Sequence, residues 1–179
     1  MSQLFRSVEP TAAEARAAMP GDGLLPAADV VMDRAFTVDA PPADVWPWLV
    51  QLGKDRAGWY LPRRVERFLL PPNRAIRRIE PRWQHLEVGD VIPDYGPDGS
   101  FEVAVIDAPD ILIYTARRKT VTFTWAIALS SRDERATRVQ LRLRIDPVRR
   151  RWLAHSAGDL FDAATIAGMA AGLRERLSG

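Results

Sequence analysis

Residues 101–147 alternate apolar and polar side chains with a period of two, and nothing else in the sequence limits the fold so tightly. The alternation comes in four runs, 101–108, 111–116, 120–130 and 136–147, parted by short polar turns. In the third run Val121, Phe123, Trp125, Ile127 and Leu129 share one parity, and Thr120, Thr122, Thr124, Ala126 and Ala128 share the other. In the fourth, Val139, Leu141, Leu143 and Ile145 oppose Arg138, Gln140, Arg142 and Arg144. Such alternation predicts antiparallel strands with one face buried and one wet. Turns this short leave no room for crossovers, so the strands form a meander.

A sheet with one apolar face has to bury it. Upstream, residues 29–39 read as another strand, with Val30, Met32, Phe36 and Val38 on one parity and Arg34 discordant among them. Ala40-Pro41-Pro42 breaks this strand. Proline suits a helix start, and residues 43–52 follow as a helix closed by Gly53 and bent at Pro47. Residues 63–70 form a second short helix ended by Pro71-Pro72, and 88–93 a turn entering a short strand. The long helix that must cover the sheet is 157–177, capped by Ser156, with Leu160, Phe161, Ala164, Ala167, Met169, Leu173 and Leu177 on its buried side. Gly158, Gly168 and Gly172 thin that helix. A glycine in a helix interior costs about 1 kcal/mol against alanine, so close approach to the sheet, or space left for a guest, must compensate. The order predicts an α+β, helix-grip fold: a curved antiparallel sheet wrapped around a long C-terminal helix, with two short helices after the first strand. Residues 1–28 are expected to be an arm with a short helix, opened by a capping box from Thr11 to Glu14. Residues 29–179 are expected to be one domain.

Composition excludes much of the chemistry. The chain has 179 residues, no cysteine and two histidines, so thiolate metal sites, disulfides and a cysteine nucleophile are excluded and no metal centre is expected. There is no nucleophile elbow, Walker loop or dinucleotide fingerprint, and no cofactor is expected. No run is long and apolar enough to span a bilayer, and Met1 to Arg6 does not resemble a secretory signal, so a cytoplasmic location is expected. Net charge is only +2, although lysine occurs solely at 54 and 119 and the remaining 23 of 25 basic residues are arginines. Arg63, Arg64 and Arg67, and Arg149 to Arg151, are local clusters. No binding motif accompanies them, so nucleic acid is not an expected partner. A homodimer is left open.

Several stretches resemble the SRPBCC (START-like, birch-pollen-allergen-like) superfamily, in its polyketide cyclase/dehydrase-like subgroup. They are the run from Arg34 to Gly53, Gly58-Trp59-Tyr60, Pro81-Arg82-Trp83-Gln84 with Val88-Gly89-Asp90, Pro20-Gly21-Asp22 and Gly158-Asp159. The resemblance spans about residues 11 to 177. It implies a helix-grip fold around an apolar cavity, in a superfamily whose members bind lipids and hormones, cyclise polyketides or chaperone cofactors. After Trp59-Tyr60 the chain departs from the polar and aromatic stretch of its relatives. It continues Leu61-Pro62-Arg63-Arg64-Val65, which makes the pocket mouth more basic.

The candidate ligand-binding residues are Arg34, Trp59, Tyr60, Trp83, Tyr95, Phe123 and Trp125. Phe123 and Trp125 face inward by parity and would wall a cavity. Trp59 and Tyr60, and likewise Trp83 and Tyr95, lie in turns where aromatics would line an entrance. Arg34 needs a partner because an unpaired buried charge is costly: either an internal ion pair or the carboxylate or enolate of a ligand. Asp94, Tyr95, Tyr114 and His155 are the available acid–base groups. The expected function is binding of a small hydrophobic or amphipathic ligand between the sheet and the C-terminal helix. The alternative is a cyclase or dehydratase using the same cavity, and a solid-core protein regulator is a third class.

Overall fold

Six antiparallel strands lie in the order β1-β6-β5-β4-β3-β2: β1 (Val30–Val38), β2 (Val91–Pro93), β3 (Ser100–Asp107), β4 (Ile111–Arg118), β5 (Val121–Asp133) and β6 (Ala136–Asp146). The structure is a computed structural model that describes residues 6–94, 99–150, 152 and 154–178, for 154 and 155 the backbone alone. Among the described residues the sheet is accompanied by the α-helices α1 (Ala12–Arg16), α2 (Pro42–Val50), α3 (Arg63–Glu66) and α4 (Asp159–Leu177). This is an α+β helix-grip fold, with the meander β3 to β6 continuous and β1 returning to pair with β6.

Register sorts the two faces. Met32, Leu143, Trp125 and Tyr114 stand in one row across β1, β6, β5 and β4. The next row on that inner face is Arg34, Leu141, Ile127 and Leu112. On the outer face Asp33, Arg142, Ala126 and Ile113 are aligned. The outer face is not wet there. Ala35, Thr124, Ala126, Ile113 and Arg142 are all buried, because the N-terminal segment lies against it. Val8 is fully buried, and its carbonyl accepts the Ala35 N–H on the free edge of β1. The capping box at α1 forms, with Thr11 Oγ1 and Glu14 exchanging bonds to each other's backbone N–H. Glu14 then takes both ends of the Arg138 guanidinium at 2.8 Å. Arg142 donates to Asp33, Asp22 and the carbonyls of Ala15 and Ala17.

The inner face is covered by two elements, not one. α4 packs chiefly on β1 and α2 on β5 and β6, while Leu52 to Trp59, in the chain after α2, face β2 to β5. The buried side of α4 is Ile166, Ala167, Met169, Ala170, Leu173 and Arg176. Leu160 and Phe161, expected on it, are exposed, as is Ala164. A π-helical turn, Ala154–Gly158, precedes α4, and the expected side is buried from Ala167 on, through Met169 and Leu173. The Ser156 hydroxyl donates back to the Trp152 carbonyl, and α4 has no side-chain cap. α3 is one turn long, and residues 67–70 leave the helix before the Pro71–Asn73 turn.

The thin helix is explained by close approach, but to a loop and not to the sheet. A Cβ on Gly172 would stand 2.6 Å from the Leu61 backbone nitrogen. The Tyr60-Leu61 segment is bolted there by Arg176, whose side chain is fully buried. Its Nε donates to the Ile76 carbonyl, Nη1 to those of Leu61 and Gly172, and Nη2 to Glu66 and the Ala75 carbonyl. Burial pushes the Glu66 carboxyl up, but hydrogen bonds from Arg176 and Arg77 outweigh this and hold it below the usual range. Every donor of a buried guanidinium is thereby satisfied, which is what makes its burial tolerable.

Candidate functional site

The α2–α3 connection sets one wall of a small recess. Gly53 adopts φ 140°, a conformation that suits glycine, and Leu52, Gly53, Lys54 and Trp59 come from this connection. The facing wall is the inner surface of the sheet: Ile92, Pro93 and Asp94 at β2, Phe101 on β3, Tyr114 on β4 and Trp125 on β5. Its volume is about 50 Å³, far below the roughly 300–1,000 Å³ of sites that enclose drug-sized ligands. No residue of α4 lines it, so the recess lies beside the helix and not beneath it.

Its aromatics form a continuous cluster. Trp125 stacks on Tyr114 with centroids 5.8 Å apart, and Phe101 meets them at 6.2 and 6.4 Å. Trp59 closes the cluster 6.0 Å from Trp125, and its indole N–H donates to the Thr165 carbonyl of α4 at 3.4 Å. Burial pushes the Tyr114 phenol up, so it stays protonated and can act as a donor. At the rim Asp94 pairs with Arg118, whose guanidinium lies over the rings of Phe101 and Phe123.

Trp59 and Trp125 are therefore brought together, with Tyr114 and Asp94 from the acid–base set. The other candidates stand elsewhere. Tyr60 is fully buried behind the recess, donating to the Trp48 carbonyl at 2.8 Å and accepting from Gln51. Trp83 packs beneath Arg82 and leaves the recess unlined. Phe123 touches the site only through Arg118. Tyr95 and the His155 side chain lie outside the described residues.

Arg34 reaches across the grip to the first turn of α4. Its Nη2 donates to the Asp159 carboxylate at 2.5 Å and to the Asp159 carbonyl, and Nη1 donates to the Asp33 carbonyl. Nε sits 2.9 Å from Asp162 Oδ2 without the alignment of a hydrogen bond. Burial pushes the Asp162 carboxyl up to about 6, and Asp159 adds to the rise, against the pull of Arg34.

Sequence reasoning passed over Phe101, Ile92 and Arg118. Phe101 was legible in principle as the first inward residue of its strand. Arg118 ends β4 at a turn, where an arginine carries no signal of its own. Among the described residues no group of three or more His, Asp or Glu could hold a metal ion, and no helix is long and apolar enough to cross a membrane.

No family model matches the chain, and no curated protein matches it in sequence. Solved structures do match in shape. The chain is similar to CV1439 from Chromobacterium violaceum, with a TM-score of 0.51 at 12% identity over 83% of this chain and 97% of that one. A protein from Thermobifida fusca gives 0.50 at 17%, over 83% and 93%. DynU16, a protein of the dynemicin biosynthetic locus, gives 0.52 at 15% over 84% of this chain. The match spans 48% of DynU16, about half its length. At such identities the likeness is one of fold.

Proposed function

We propose that this chain is a START-like protein that binds a small, flat, hydrophobic molecule at the Trp59–Phe101–Tyr114–Trp125 cluster. The single observation that carries the reading is a partly open aromatic recess with one protonated phenol in its wall. Aromatic faces stack on a planar ligand, and an isolated hydroxyl orients one carbonyl or hydroxyl of it. The recess as it stands is too small for such a ligand, so binding requires a wall to move. Trp59 is the wall to move, by rotation of its side chain, because its indole is tied to α4 by a long 3.4 Å bond while the Tyr60-Leu61 backbone beside it stays fixed by Arg176. DynU16's place in the dynemicin biosynthetic locus is in keeping with a small-molecule guest.

Native mass spectrometry of the purified protein, followed by titration with a planar anthraquinone, tests the reading. A captured mass lost on denaturation, or saturable quenching of tryptophan emission, is the expected result. Trp125→Ala should weaken binding by about tenfold or more. Unchanged affinity in a folded Trp125→Ala protein would place the ligand elsewhere. A cyclase or dehydratase in the same recess is the second reading, favoured by Tyr114 alone. A phenol kept protonated there would donate to a developing enolate. Tyr114→Phe separates the two: a binder keeps its affinity within a few-fold, whereas an enzyme loses turnover of a polyketone.

A further inference from the structure

Away from the recess, residues 63–74 form a projecting surface of unusual composition. Phe68 is 77% exposed and Leu70 70%, with Val65 beside them at 41%. Arg63, Arg64, Arg67 and Arg74 are exposed around them. None of the four guanidiniums has an acidic partner among the described residues. Glu66, the acid within the segment, is buried against Arg176 and Arg77. Glu175, outside it, accepts the Arg63 backbone N–H and faces Arg77. The guanidinium of Arg67 lies 4.6 Å over the Phe68 ring.

The segment is held in this shape. Phe68 and Leu69 donate backbone bonds to the carbonyls of Val65 and Glu66, and Asn73 donates to that of Leu70. Arg74 ties the turn from the side through the carbonyls of Leu69 and Arg67. The base of the turn is the buried Glu66–Arg176 bolt. Two large apolar side chains are thus presented to solvent by a rigid mount, inside a ring of unpaired positive charge.

We propose that this surface docks on anionic lipid bilayers. Phe68 and Leu70 enter the boundary between headgroups and acyl chains, and Arg63, Arg64, Arg67 and Arg74 face lipid phosphates. Apolar insertion combined with a basic patch is the pairing that gives reversible attachment to a charged membrane. A second copy of the chain fits poorly, since a two-fold contact would set four unpaired guanidiniums against the same four. A folded protein partner fits less well too. The apolar side chains project and do not line a groove, and two of them fall short of the buried centre of a stable protein interface.

Sedimentation with vesicles tests this, using phosphatidylcholine alone or mixed with phosphatidylglycerol, at low and high salt. The expected result is binding to the mixed vesicles only, weakened by salt. Arg63→Gln, Arg64→Gln and Arg67→Gln should each lower the partition coefficient about fivefold. Phe68→Ser with Leu70→Ser should lower it by about tenfold or more, with an unchanged Tm because both side chains are already exposed. Arg132→Gln with Arg135→Gln, at the β5–β6 turn, should leave it unchanged. Failure to sediment with mixed vesicles overturns the proposal, whether or not the protein then self-associates through Phe68. So does binding that ignores the Phe68 and Leu70 changes, or that falls equally with the β5–β6 turn arginines.

Discussion

Asp162 points its carboxylate into a part of the grip where water is scarce and one arginine is shared between two acids. Its side chain is 17% exposed, and its partner Arg34 already gives its best-aligned bonds to Asp159 and two carbonyls. The ionised form is therefore disfavoured in the folded state, and the carboxyl titrates at about 6. A carboxyl raised in this way binds its proton more tightly folded than unfolded. Its contribution to stability is full below the ordinary aspartate range near 4 and is lost as pH rises through 6. The cost at neutral pH is on the order of 2–3 kcal/mol. Asp162→Asn should flatten the fall in the urea midpoint between about pH 4 and pH 7 and stabilise the protein at pH 8. An identical pH slope in the mutant would mean that Arg34 fully compensates the charge. The sequence made Arg34 conspicuous by its parity and left two partners open for it. It did not name Asp159 and Asp162, because nothing in residues 30–38 states where a helix 125 residues later will cross.

Among the elements, the meander was the most legible, and its register more so than it first seems. Arg118 pairs with Val121 across a two-residue turn in which Lys119 takes φ 56°. A hairpin that tight fixes every later pair, so Tyr114 faces Trp125 and Ala116 faces Phe123 as a matter of counting. The pairing of β1 with β6 has no such turn behind it and was not countable. Helix α4 was legible in length and, from Ala167 on, in phase; what periodicity could not show is that its first turn, with Leu160 and Phe161, stays exposed. Its glycines were legible as a demand without an answer, which turned out to be the Tyr60-Leu61 backbone. Gly172→Ala tests that answer, because a methyl group 2.6 Å from a backbone nitrogen can be accepted only by moving the loop or the helix. Overpacking of this kind costs about 1–3 kcal/mol, although alanine would gain about 1 kcal/mol by helix propensity. A net loss in Tm is expected. A gain would mean that the loop yields freely and that Arg176 does not fix it.

Across the whole molecule, the N-terminal segment turns a two-layer grip into a sheet covered on both sides. It does so mostly with charge: three arginines that alternate along the outer face of β6 hold it through Glu14, Asp22 and backbone carbonyls. Asp22 bridges two of them, with Arg142 at 2.8 Å and Arg144 at 3.2 Å, and also accepts the Met19 N–H. Hydrogen bonding from Arg138 holds the Glu14 carboxyl down at about 2. A depressed carboxyl stabilises above its unfolded value, so this latch is full near neutrality and is lost as pH falls from about 4.5 toward 2. The acid-side behaviour of the arm is thus opposite in sign to that of Asp162. The sequence showed the capping box but not what α1 would cover, because alternating arginines on β6 look the same whether they meet water or a latch. Asp22→Ala should loosen the segment without unfolding the sheet, since Arg142 keeps its partner Asp33 on β1. The expected cost is about 2 kcal/mol, the worth of a hydrogen bond between charged groups. Limited trypsin digestion reads it directly. Arg16 is exposed at the end of α1, yet its backbone is held by neighbours on the sheet. Cleavage after Arg16 should quicken in the mutant at pH 7, while cuts within β3 to β6 stay slow. Equal rates at Arg16 in both proteins would show that apolar packing at Val8, and not the arginine ladder, holds the segment down.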